Sequence, residues 1–207
     1  MKKRLLILNG SWGEVPLIRA AHELGFHVIT TGNKPQAFGH QFADEYICGD
    51  YSNLEDMVRV AREGRADAVC ACANDLGAIS ACYVAEKLGL PGHDPYETCL
   101  TLHHKDKFKR FARANEIMTP LAEEFSTPEQ AKVWAAEKAV YPIIVKPVDM
   151  FSGVGIHRAD NADEAAAAID DAFAKGRTPH IVIEPFITGT AHSFSTFLVN
   201  RRVAAYY

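Results

Sequence analysis

"VYPIIVKPVDMFSGVGIHRA", residues 140–159, is an apolar run that ends on Lys146 and then meets Ser152, Gly153 and Gly155. A short apolar, β-branched run bounded by prolines predicts a buried strand. A strand that delivers an ammonium to a glycine-bearing loop suits a polyanion, because the lysine brings charge and the loop brings backbone N–H donors. The order is the reverse of a Walker loop, in which the lysine follows the glycines. Taken alone, Lys146 reads equally well as a solvated lysine at a strand end.

Two other stretches add weight to the anion reading. "HHKDKFKRF", residues 103–111, sets Lys105, Lys107 and Lys109 at alternate positions ahead of a helix. A ligand with several negative charges needs more than one cation if it is to leave water. "IVIEPFITG", residues 181–189, ends a buried strand on Glu184, where a carboxylate and adjoining backbone can meet the edge of an adenine. Strand-end solvation is the alternative for Glu184.

Working outward toward the N-terminus, "RLLILNG", "EVPLIRAAHELGF" and "HVITTG" predict a strand, a helix with Pro16 in its first turn, and a second strand. "DEYICGD", "NLEDMVRVAREGR", "ADAVCACA" and "LGAISACYVAEKLGL" continue the alternation. Strands joined by helical crossovers predict an α/β fold with a Rossmann-like parallel sheet covered on both faces. The period is lost around "PGHDPYETCLTLHH", residues 91–104, which marks a boundary.

The second half predicts an α+β unit. Helices are expected from Lys105, from Thr127 with Pro128 at the first helical position, and over residues 161–176. Strands are expected at "YPIIVKP", "GVGIHRA" and "HIVIEPF", and "SFSTFLVNRRVAAYY" predicts a hairpin that turns at "VNRRV".

"LNGSWGE", residues 8–14, invites a dinucleotide reading. It offers only Gly10 and Gly13, and Thr30, Thr31 and Gly32 stand where an acidic residue would hold the ribose of NAD. A tight packing turn and a site for some other small anionic substrate remain open. The loops Asn9 to Gly13, Thr31 to Asn33 and Asn74 to Asp75 all follow predicted strands, so Asn9, Gly10, Gly13, Asn33, Asn74 and Asp75 are candidates to line a substrate. Their alternative is ordinary loop capping, as "AND" at 73–75 would provide.

The chain has 207 residues, a formal net charge of −4, 48% hydrophobic and 23% charged residues. That balance is ordinary for a globular protein and gives no general attraction to nucleic acid or anionic lipid. The early apolar run, Leu5 to Leu8, is too short for a signal peptide, and no stretch is long enough for a membrane helix. The chain is read as cytoplasmic. Five cysteines, an odd number in a chain of this size, predict free thiols, with Cys70 and Cys72 as small buried apolar side chains.

The succession of a βαβ-rich start, "DKFKRFARANEIMTP", "YPIIVKPVDMFSGVGI" and "VIEPFITG" closely resembles the ATP-grasp superfamily, including its carbamoyl-phosphate synthase, biotin carboxylase and purine-biosynthesis members. The resemblance covers essentially the whole chain. It implies a pre-ATP-grasp domain over 1–94, a linker and helix over 95–120, a small lid subdomain over 121–187, and the start of a second subdomain over 188–207. It also implies ATP as a ligand, with Lys107 on the α-phosphate side and Lys146 near the α- and β-phosphates. Ser152, Gly153, Val154 and Gly155 would form the glycine-rich flap. Glu184, Phe186 and Ile187 would form the adenine hinge.

His192 stands where family members often carry a ribose-binding glutamate, and it is taken as the ribose contact or as a packing histidine. The resemblance places the magnesium ligands and the catalytic residues beyond Tyr207, with no metal ligand in this chain. It implies an ATP-dependent ligase that activates a carboxylate or bicarbonate, with the present chain as its ATP-binding portion and inactive alone. A non-catalytic nucleotide-binding or regulatory module is the alternative. The expected partners are ATP and a carboxylate substrate, with neither nucleic acid nor membrane, and a homodimer is admitted.

Overall fold

The computed structural model describes residues 1–72, 74–199 and 202–206. Its first half is a parallel sheet of β1 (Arg4–Leu8), β2 (His27–Gly32), β3 (Glu45–Cys48) and β4 (Ala68–Ala71), in the order β3-β2-β1-β4. Leu6, Ile7, Leu8, Val28 and Ile29 are consecutive buried residues, as expected where helices cover both faces of a sheet. The helices are α1 (Val15–Glu23), α2 (Leu54–Glu63) and α3 (Asp75–Leu88). Asn53 and Asn74 cap α2 and α3 by accepting the backbone N–H of Asp56 and Gly77.

Sequence reasoning expects every crossover in this half to be helical, but β2 and β3 are joined by a short 3-10 turn over Phe38–Phe42. The reversal of strand order lies between β1 and β4, so a crevice opens beyond their carboxyl ends.

Two further helices follow, α4 (Tyr96–His103) and α5 (Lys105–Ala114). The first is missed by pattern reading because it buries no residue and so shows no apolar stripe. The second half is an antiparallel sheet of β5 (Glu123–Phe125), β6 (Ile143–Pro147), β7 (His157–Ala159) and β8 (Ile181–Pro185), in the order β5-β8-β6-β7. Its core is formed with α6 (Pro128–Glu137) and α7 (Ala162–Lys175), through Ala131, Ala135, Ile143, Val145, Ala165, Ile169, Ile181 and Ile183. The small alanines let both helices lie close to the sheet.

An antiparallel pair, β9 (Thr196–Val199) and β10 (Arg202–Tyr206), ends the description. It matches the expected hairpin, while Asn200 and Arg201 of the expected turn lie outside the described residues, as does Tyr207. No helix among the described residues is long and apolar enough to cross a membrane.

Candidate nucleotide site

The alternation of β6 decides which way its lysine points. Ile143, Val145 and Pro147 are buried, and Ile144 and Lys146 take the other face. Antiparallel β8 sets Glu184 opposite Ile144 and Val182 opposite Lys146, so Lys146 and Glu184 are diagonal neighbours on one face. Lys146 Nζ lies 3.1 Å from Glu184 Oε2, and the Glu184 side chain is only 4% exposed.

Helix α5 supplies the next cations. Lys105 and Lys109 are one turn apart and share a face, whereas Lys107 is rotated to the other side. Lys109 Nζ lies 3.2 Å from the same Glu184 oxygen and donates to Thr119 Oγ1 and the Pro120 carbonyl. Lys105 donates from Nζ to the Met150 carbonyl at 2.7 Å and from its backbone N–H to the Val148 carbonyl. Lys107, the lysine expected at the α-phosphate, instead pairs at 2.7 Å with Glu97 on the outer surface. The structure does not bring Lys107 to the cluster. Burial holds the Lys105 ammonium below its ordinary range, and the nearby Lys146 charge pushes the same way.

The loop after β6 is a pair of tight turns. Ser152, Gly153 and Gly155 all have positive φ, at 53°, 77° and 69°. Val154 donates to the Phe151 carbonyl and Ile156 to the Gly153 carbonyl. Ser152, Gly153 and Val154 are exposed and Gly155 is buried. At Gly155 an added Cβ would stand 2.8 Å from Pro147 Cγ, so this position needs glycine for space as well as for conformation. Buried Asp149 ties down the root of the loop by accepting the backbone N–H groups of Arg177 and Thr178.

Beyond Glu184, Phe186 donates its N–H to the Pro142 carbonyl, and its ring lies under the Arg158 guanidinium at 4.7 Å. Ile187 is exposed. His192 is exposed in an irregular segment and not on a strand.

The candidate substrate loops follow β1, β2 and β4 at the carboxyl end of the parallel sheet. Asn9 has φ 92°, and the absence of a side chain at Gly10 makes room for the His40 ring, since a Cβ there would meet Nδ1 at 2.1 Å. Asn74 and Asp75 start α3 at the end of the neighbouring strand. Gly13 and Asn33 sit exposed on the rim.

Two residues near the carboxyl ends of β1 and β2 escape pattern reading, Glu14 and His40. Glu14 is fully buried, its Oε2 accepts from the backbone and hydroxyl of Ser11, and its Oε1 has no partner among the described residues. Thr31 Oγ1 is likewise enclosed without a partner among the described residues. Burial lowers the basicity of His40, whose Nδ1 is 2.9 Å from Thr30 Oγ1. Burial lowers the basicity of His103 too, with the neighbouring His104 adding to the effect.

Residues 103–206, half of the chain, match the family of the phosphoribosylglycinamide synthetase ATP-grasp (A) domain. The chain belongs to the ATP-grasp family. It is 29% identical over 189 residues to the formate-dependent phosphoribosylglycinamide formyltransferase of Prochlorococcus marinus, an alignment covering 90% of this chain and 48% of that protein. The crystal structure of phosphoribosylglycinamide synthetase from Anaerococcus prevotii superposes with a TM-score of 0.71 at 26% identity, over all of this chain and 51% of that one. The biotin carboxylase domain of a Hydrogenobacter thermophilus carboxylase, solved with MgADP, shares the fold with a TM-score of 0.74 at 23% identity, over 90% of this chain and 45% of its own. The chain thus spans about half the length of the curated relatives it matches.

In this ATP-grasp chain the lysines that converge are Lys105, Lys109 and Lys146, with Glu184 between the last two. The signal that separates Lys105 from Lys107 is helical period: in a helix beginning at Lys105, positions 105 and 109 face one way and 107 the other. Among the described residues no three His, Cys, Asp or Glu side chains come together as metal ligands.

Proposed function

We propose that the chain is the ATP-binding portion of an ATP-grasp ligase that activates a carboxylate or bicarbonate as an acyl phosphate for attack by an amine or other nucleophile. The observation that carries this reading is the meeting of Lys105 and Lys146 beside the positive-φ loop 152–155. Two ammonium groups and an exposed turn with outward backbone donors make a receptor for a chain of phosphates. The burial penalty on Lys105 favours a ligand that restores negative charge.

On this reading Lys105 takes the phosphate role assigned to Lys107 in the sequence. Lys146, Ser152, Gly153, Val154 and Gly155 keep theirs, and the backbone from Glu184 to Ile187 meets the adenine. His192 remains the candidate ribose contact. The crevice around Asn9, Gly10, Asn74 and Asp75 faces the carboxylate or its nucleophile. Magnesium, when bound, would neutralise the charge of the transferred phosphate. The described residues do not build a site for it, and its ligands are assigned to the part of the relatives that this chain does not span. The division of the chain at residues 95, 121 and 188 belongs to the same proposal.

Calorimetric titration of the 207-residue chain with ATP, with and without magnesium, tests the reading. Micromolar binding that weakens roughly ten- to hundredfold in Lys146→Ala supports it. Equal affinity in the variant removes Lys146 from the site.

A further inference from the structure

Lys109 is the most enclosed cation of the cluster, held by two hydrogen bonds and one ion pair. An ammonium has three protons to give. Lys109 donates to Thr119 Oγ1 at 2.7 Å and to the Pro120 carbonyl at 2.9 Å, and its ammonium is ion-paired with Glu184 Oε2 at 3.2 Å. With its side chain only 9% exposed, it has nothing left to offer a ligand.

Lys146 is in the opposite situation. Its recorded partner among the described residues is Glu184 alone, and its side chain is 21% exposed. Two of its protons therefore have no partner among the described residues.

Both ammonium groups share the one oxygen, Oε2, of a carboxylate that is itself buried. A buried carboxylate needs a counter-charge, and with a single lysine in reach it would hold that lysine as a neutral pair. Lys105 also lies in this cluster but gives its Nζ to the Met150 carbonyl, so Lys109 and Lys146 are the two lysines paired with Glu184, and the three groups together leave a net positive charge that falls where water and ligands can reach it. That place is Lys146.

We propose that Lys109 is a positioning residue, the counter-ion that satisfies Glu184 and so leaves the Lys146 ammonium available to phosphate. It acts through Glu184 and touches no ligand. The proposal rests on the ATP-binding reading and adds to it the residue that makes Lys146 competent. It also gives Glu184 a role distinct from adenine contact: the carboxylate aims Lys146, and Lys109 keeps that aim from becoming a closed ion pair.

The test is a cycle of variants in the 207-residue chain, read by ATP titration at fixed ionic strength. Lys109→Met weakens ATP binding roughly tenfold, as expected for loss of one charge-assisted phosphate contact. In a Glu184→Gln background the same change has an effect below about twofold, because no carboxylate remains to capture Lys146. A role in packing alone predicts the same loss in both backgrounds, and that result overturns the proposal. Lys109→Arg keeps the counter-charge and retains ATP affinity within about threefold, and it stands in if Lys109→Met does not fold. A tenfold loss in Lys109→Arg also overturns the proposal. A wild-type chain that binds no ATP overturns the ATP reading and this inference together, whereas ATP binding indifferent to Lys109 overturns only the inference.

Discussion

Lys105 and Lys107 stand two residues apart in sequence and on opposite sides of α5: one donates to the Met150 carbonyl at the root of the glycine loop, the other pairs with Glu97 on the surface. The difference is measurable. Lys105→Ala lowers ATP affinity by about tenfold or more, since it removes a partly buried cation beside the loop. Lys107→Ala changes affinity by less than about twofold, as is usual for an exposed ion pair. Parallel titrations of the two variants decide between them, and a larger loss in Lys107→Ala would return the phosphate role to that residue.

Gly153 has φ 77°, and nothing lies within 4 Å of where its Cβ would be. The obstacle to a side chain is conformational and local. Gly153→Val therefore lowers the thermal unfolding midpoint by no more than about 3 °C, yet weakens ATP binding several-fold because the turn cannot keep its donors outward. Unchanged ATP affinity in that variant would take the loop out of the nucleotide site.

At Gly10 the obstacle is space. The His40 ring occupies the place of a Cβ at 2.1 Å, so Gly10→Ala displaces the ring and breaks its contact with Thr30. The expected cost is about 1–3 kcal/mol of folding stability, measured by urea unfolding. A variant as stable as the parent would show that the crevice yields without cost.

Burial lowers the affinity of His40 for a proton below its ordinary value of 6.5. The fold thus favours the neutral ring, and the unfolded chain binds the proton more readily. This contribution to stability is complete above the unfolded value and is lost as pH falls below about 6.5. Unfolding followed from about pH 7.5 to about pH 5.5 shows declining stability, with a smaller decline in His40→Asn. Equal declines in parent and variant would assign the effect elsewhere, with His103 next. Asp44, Glu45 and Asp56 lie below their ordinary carboxylate values, so their contributions persist until the pH approaches 4 and below.

Much of the architecture is legible in the sequence because strand and helix periods are strong there. The buried run at β1, the lysine ending β6 and the alanine-rich α7 all declare themselves by pattern. Helix α4 does not, because it buries nothing, and three-residue β5 is held by pairing with β8 and by no pattern of its own. At the site, the lysines stand at alternate positions in sequence, but helical geometry brings positions 105 and 109 together and turns 107 away. The pairing of Lys109 with Glu184 spans 75 residues, and no local signal announces it. Glu14 reads as a helix-start acid and proves to be enclosed.

Helix α5 follows the parallel sheet in sequence, but its bonds run the other way: Lys105 to Val148 and Met150, Lys109 to Glu184. Substitutions at 105 and 109 should track those at 148, 150 and 184 across relatives more closely than any change around β1 to β4. An exchange of N-terminal domains between relatives should accordingly be joined ahead of Lys105, so that the cations travel with the carboxylate and the loop they serve.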